Sequence, residues 1–128
     1  MSNLFIGLGA LGCFLAVATG AFGAHALKQV LDADMLAVWH TAVNYLFFHA
    51  LGLVLVGALH ATAPRRCHVV AGGFMLAGIA LFCGSLCVLS LSGLKWLGMV
   101  TPFGGLCFLV AWLVLALGYL TERRTGIK

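Results

Sequence analysis

The sequence predicts an all-α polytopic membrane protein: one four-transmembrane-helix bundle with a short interfacial helix between helices 1 and 2. Two observations carry that prediction. First, 63% of the 128 residues are hydrophobic and only 8% are charged, whereas a soluble domain is about half apolar and about a quarter charged. Second, all ten charged side chains fall in four places: Lys28, Asp32 and Asp34; Arg65 and Arg66; Lys95; and Glu122, Arg123, Arg124 and Lys128. The charge-free runs between them cover positions 1 to 27, 35 to 64, 67 to 94 and 96 to 121. Each exceeds the ~20 residues a helix needs to cross ~30 Å of hydrocarbon.

The first helix is expected over residues 4 to 24. Gly12, Ala16, Gly20 and Ala24 repeat along it at every fourth position, a small-residue stripe that lets a neighbouring backbone approach closely. From Ala26 to Asp32, Leu27, Val30 and Leu31 share a side, with Lys28, Gln29 and Asp32 on the other, which suits a short helix along the membrane surface. Asp34 is placed to cap the second helix, expected over residues 35 to 61. That helix would be ~40 Å long, so its first turns, with Trp39, His40, Thr41 and Asn44, are expected at headgroup level. Thr62 to Arg66 closes the hairpin.

The third helix is expected over residues 67 to 91, with Gly72, Gly73, Ala77, Ala80, Gly84 and Ser85 as a second small-residue surface and Ser92-Gly93 as its stop. Lys95 and Trp96 lie in an interfacial segment. Thr101 as N-cap and Pro102 at the first position open the fourth helix, residues 102 to 121. Phe22-Gly23-Ala24 resembles Cys83-Gly84-Ser85 in place and orientation, as a distant duplication of the two hairpins would leave it.

Charge reads as topology, because the basic residues sit at helix ends and form no stripe for nucleic acid. With four spans, Arg65, Arg66, Arg123, Arg124 and Lys128 share one side with the N-terminus, against Lys28 and Lys95 on the other. Both termini are therefore expected in the cytoplasm. A cleaved signal peptide is the competing reading of the first run, since Ala24-His25-Ala26 resembles a signal-peptidase site, but no positive segment precedes the run and its apolar stretch is longer than the usual h-region. Four of the five cysteines (Cys13, Cys83, Cys87, Cys107) lie inside expected spans and read as small hydrophobes; Cys83 and Cys87 share a face without the second pair a thiolate metal site needs.

His49 is the residue of most interest, since it falls near the middle of its span. A polar group there is expensive and is expected to face the bundle interior and find a partner. Ser85 and Trp112 are expected at a similar depth. The structural expectation is an interhelical hydrogen bond from His49; a proton relay or a substrate contact is the functional one. Haem fits poorly, because His25 and His40 lie near one surface, His60 and His68 near the other, and His49 is alone between them. The Thr101-Pro102-Phe103-Gly104-Gly105 start could present free backbone N–H groups to a phosphate or carboxylate, or be simply a capped helix. His25 stands across the same surface. No catalytic motif occurs, and three acidic residues leave little for acid–base chemistry.

GAFGAHALK at 20 to 28, FHALGLVLVG at 48 to 57, GIALFCGSL at 78 to 86 and LGMVTPFGGLCFLVAW at 97 to 112 together resemble a family of small inner-membrane proteins. That family is the domain of unknown function 423, with animal relatives called transmembrane protein 256. The resemblance implies four helices in a bacterial inner membrane and no known reaction. Its usual features map to Gly20, Gly23, His25, His49, Gly84, Ser85, Thr101, Pro102, Gly104, Gly105 and Trp112; Phe48, Cys87 and Ala111 depart from its pattern.

The expectation is a non-enzymatic membrane protein without a cofactor or metal, a homo-oligomer or an accessory scaffold subunit of a larger complex. The alternatives are a small-solute or lipid-headgroup transporter or channel with its mouth at Gly20 to His25 and Thr101 to Gly105, and a haem- or quinone-binding redox protein.

Overall fold

The computed structural model describes residues 1–121; the charges of Glu122, Arg123, Arg124 and Lys128, which enter the topology expectation, lie outside them. Its elements are α1 (Ser2–His25), a 3₁₀ turn (Leu27–Gln29), α2 (Ala33–Thr62), α3 (Arg66–Gly78), a π-helical turn (Ile79–Cys83), α4 (Gly84–Ser92), a second 3₁₀ turn (Lys95–Met99) and α5 (Thr101–Leu120). α3, the π turn and α4 run on as one span. Four stretches are long and apolar enough to cross a membrane: Ser2–Gln29, Ala33–Thr62, Arg66–Ser92 and Lys95–Leu120. One end of the molecule carries Met1, the α2–α3 turn and the end of α5; the opposite end carries the α1–α2 and α4–α5 connections.

The connections correct three local expectations. The short helix after α1 is a single 3₁₀ turn in which Leu27 is buried, while Val30, expected beside it, is exposed. Asp32, and not Asp34, caps α2: its Oδ1 accepts the Met35 N–H at 2.8 Å, which places Asp34 inside the first turn. Thr101 is not an N-cap. The 3₁₀ turn runs into α5 through Val100 in helical conformation, and Phe103 N–H already donates to Val100 O at 3.2 Å. The helix start is thus partly occupied by its own backbone and is a poorer anion cradle than a free cap. Gly93 ends α4 in the left-handed conformation, φ 71°, as the Ser92-Gly93 stop requires.

Side-chain-free positions hold the helices together, as expected where lipid removes the hydrophobic drive between them. Along α1 and α2, a methyl built on Gly9 would lie 2.7 Å from Ala50 O, one on Gly12 2.8 Å from Ala50 Cβ, and one on Gly57 2.9 Å from Ile6 N. Gly12 and Ala16 of the predicted stripe are therefore spent inside the chain, while Gly20 only grazes Val43 and Ala24 is exposed. Gly23 instead receives the Trp39 ring. Trp39 is buried between α1 and α2 and donates its Nε1–H to Thr19 O at 3.0 Å. Gly78 packs on the Phe108 ring and Gly104 on the Phe82 backbone, which clamps α5 against the α3–α4 span. A methyl on Gly105 would lie 3.7 Å from the Phe82 ring, whereas one on Gly84 or Gly73 would meet nothing within 4 Å. Phe5, Leu53, Val56, Ala71, Met75, Ala111 and Leu115 form the shared core.

Candidate functional site

Tyr45 and His49 are one helical turn apart on α2, so their rings lie on one face and stack at 5.8 Å. His49 does not make the expected interhelical bond. Its Nδ1–H donates to Tyr45 O in its own helix at 2.7 Å. What crosses the helices is ring packing: Phe108 of α5 lies flat on the imidazole, centroids 3.4 Å apart and planes 14° apart. Phe108 reaches that position because Gly78 opposite it has no side chain.

The π turn supplies the next wall. Gly84 N–H bonds Ile79 O five residues back, so one extra residue is accommodated in that turn. Phe82, on that turn, stacks on Tyr45 at 4.5 Å and tilts against Phe108 at 5.6 Å. Trp112, one turn along α5 from Phe108, lies 6.1 Å from the His49 ring. Together these rings line a cleft of about 630 Å³, completed by Pro102, Gly105, Leu106 and Leu109. Leu106 is 58% and Leu109 69% exposed, so the cleft opens sideways between α2 and α5 rather than toward either end. His49 itself is only 6% exposed.

Three polar groups on the lining residues have no hydrogen-bonding partner among the described residues: His49 Nε2, the Tyr45 hydroxyl and Trp112 Nε1–H. The arrangement suits a flat, largely apolar molecule entering from the bilayer. Acid–base chemistry finds no carboxylate in the lining.

The other sequence-predicted residues are placed elsewhere. Ser85 pairs with Thr101, hydroxyl to hydroxyl at 2.8 Å, and Thr101 also donates to Leu97 O at 3.3 Å. That pair ties α4 to the start of α5 next to Pro102, whose ring enters the cleft wall. His25 is exposed and makes no hydrogen bond to Thr101. Asn44 is exposed beside a shallow hollow formed with Ala16, Val17, Val43, Phe47 and Phe48, on a different face from His49.

A second polar cluster escapes sequence reasoning. His68, fully buried, pairs Nε2 with the Tyr119 hydroxyl at 2.9 Å. The His60 ring stands edge-on to it at 5.9 Å, and Arg65 lies over the Tyr119 ring at 4.5 Å. The signal available was the pair of histidines flanking the α2–α3 turn; the partner on α5 is visible only once the helices are packed. No group of three or more His, Cys, Asp or Glu side chains able to hold a metal occurs among the described residues.

Comparison with known proteins agrees with this architecture. A family model described as a protein of unknown function (DUF423) matches residues 19–105. A UPF0382 membrane protein of Staphylococcus saprophyticus is 44% identical over 116 residues, covering 91% of this chain and 96% of the relative. The UPF0382 membrane protein YwdK of Bacillus subtilis is 45% identical over 114 residues, covering 88% and 93%. No solved structure matches. With the four apolar helices and relatives of nearly the same length, the chain belongs to the DUF423 family of membrane proteins, whose function is unknown.

Proposed function

We propose that this chain is a non-enzymatic protein of the bacterial inner membrane that binds a lipid-soluble molecule in the lateral His49 cleft, serving as an accessory subunit or carrier. The observation that carries this reading is His49: a nearly buried imidazole at mid-span, with one nitrogen committed to Tyr45 O and the other unpaired beside an aromatic cleft. A polar group at that depth is costly unless it is used. Both termini lie in the cytoplasm in this reading, supported by the Arg65-Arg66 turn at the end that carries Met1. A channel is less well supported, since no hydrogen bond joins His25 to Thr101, which is bonded to Ser85 and Leu97 O instead. The test is native mass spectrometry of the protein released from nanodiscs formed directly from its own membranes. The reading expects a retained molecule that is not a bilayer phospholipid, and expects Leu106→Trp, which fills the mouth, to lose it. A wild-type chain that carries phospholipid alone would sink the proposal.

Self-association is a second reading with its own support. Gly73 and Gly84 have open space before them, and Val69, Val70, Gly73, Phe74 and Ala77 form a shallow groove on the outer face of α3. The same mass spectra report subunit number, and Gly73→Leu should dissociate an oligomer built on that groove. A purely monomeric wild-type chain would exclude it.

A further inference from the structure

The donors and acceptors of the cleft select its occupant, an inference that deepens the binding reading above and rests on it. Tyr45 O is a carbonyl and only accepts, so the 2.7 Å contact fixes a proton on His49 Nδ1. The neutral imidazole then carries an unprotonated Nε2, an acceptor. That nitrogen is neither paired nor sealed. It has no partner among the described residues, and it is not one of the enclosed, unpartnered nitrogens, which include Nδ1 of both His60 and His68. Since His49 is 6% exposed and lines the cleft, the surface that Nε2 retains belongs to the cleft wall.

Hydrocarbon cannot satisfy that acceptor, and water is scarce at such depth. An occupant with an O–H or N–H donor can. The walls narrow the choice, because Tyr45, Phe82, Phe108 and Trp112 offer ring faces and edges suited to another ring. A volume of about 630 Å³ takes one substituted ring, and a tail can leave over Leu106 and Leu109 into lipid.

We propose that the cleft binds a lipid-soluble hydroxyaromatic of the quinol type, its ring O–H donating to His49 Nε2, in preference to the corresponding quinone. A quinone's ring oxygens only accept, so whatever they take from the Tyr45 hydroxyl or the Trp112 Nε1–H, they leave His49 Nε2 without a donor. The preference is one of binding; no electron or proton is transferred.

The test uses the full chain in phosphatidylcholine nanodiscs under argon, titrated with a decyl-tailed benzoquinol, the matching quinone, and the di-O-methyl ether of the quinol. Dissociation constants are read from tryptophan quenching. The quinol should bind at least about tenfold more tightly than either of the others. His49→Phe keeps a ring against Phe108 but removes the nitrogen, and should equalise the three; Leu106→Trp should abolish all binding. Equal binding of the three by wild type, lost in Leu106→Trp, overturns the proposal while the cleft reading survives. Binding of the ether as tight as that of the quinol overturns it too. If wild type binds none of the three, the proposal fails, and the native mass spectrum then decides separately whether the cleft holds anything. Should His49→Phe not fold, the three wild-type constants alone remain decisive.

Discussion

Gly104 and Gly105 are neighbours on α5, and the structure assigns them opposite tolerances. A methyl group on Gly104 would collide with the Phe82 backbone nitrogen and lie 2.7 Å from Phe82 Cβ and 2.8 Å from its Cα, where 3.4 Å begins ordinary contact. Backbone cannot rotate aside, so α5 and the π turn must separate by about 0.7 Å or more. That separation would also loosen the Phe108 ring of α5 from Gly78 at the end of α3 and from His49 of α2. Overpacking of this kind costs about 1–3 kcal/mol. A methyl on Gly105 meets only the Phe82 ring, at 3.7 Å, which is ordinary contact. Gly105→Ala should therefore match wild type or exceed it by up to about 1 kcal/mol, the gain of replacing a helical glycine. Reversible unfolding of the purified chain in mixed micelles, followed by far-UV circular dichroism against denaturing detergent fraction, measures both. If Gly104→Ala proves as stable as Gly105→Ala, the close approach of α5 to the π turn is wrong, and the cleft geometry built on it goes with it.

The same unfolding assay checks the other packing assignments. Trp39→Phe removes the only side-chain hydrogen bond tying α1 to α2 among the described residues, Nε1–H to Thr19 O at 3.0 Å, and should cost about 0.6–1.7 kcal/mol; no loss would put the ring at a surface instead. Tyr119→Phe strips His68 of its 2.9 Å partner while leaving it fully buried, a loss of about 1–3 kcal/mol, and an unchanged stability would dissolve that cluster. Asp32→Ala should speed amide exchange at Met35 roughly fivefold, the equivalent of about 1 kcal/mol for a lost N-cap. Asp34→Ala should leave that amide nearly untouched, and the reverse order would restore Asp34 as the cap.

The architecture was legible because charge clusters and span lengths are strong signals in lipid: Arg65-Arg66 and Lys95 can be placed nowhere but at ends. Which glycine faces which helix was not. Spans apolar on all sides carry little periodicity, so the Gly12-Ala16-Gly20-Ala24 stripe could be seen but not oriented; the close contacts turned out to involve Gly9 and Gly57 as well, and of the second surface Gly72 but not Gly73 or Gly84. The caps missed by one or two residues because Asp32 and Asp34 are equally good cap chemistry, and only backbone conformation distinguishes them. His49 and Trp112 were picked out by depth and do share a cleft. Tyr45, Phe82 and Phe108 were not foreseen as its walls: the π turn that brings Phe82 inward leaves no mark in the sequence, and Phe108 looks like any lipid-facing ring until Gly78 is placed opposite it.

The claim on which the functional account turns is that His49 holds its proton on Nδ1 and keeps Nε2 as an open acceptor. Solid-state ¹⁵N NMR of histidine-labelled protein in lipid, with His49 assigned by its loss in His49→Phe, observes this directly. Nδ1 should be protonated and Nε2 unprotonated, with an Nε2 resonance that moves when the decyl benzoquinol is added and stays when the quinone is added. A proton on Nε2, or an Nε2 resonance indifferent to the quinol, would contradict it.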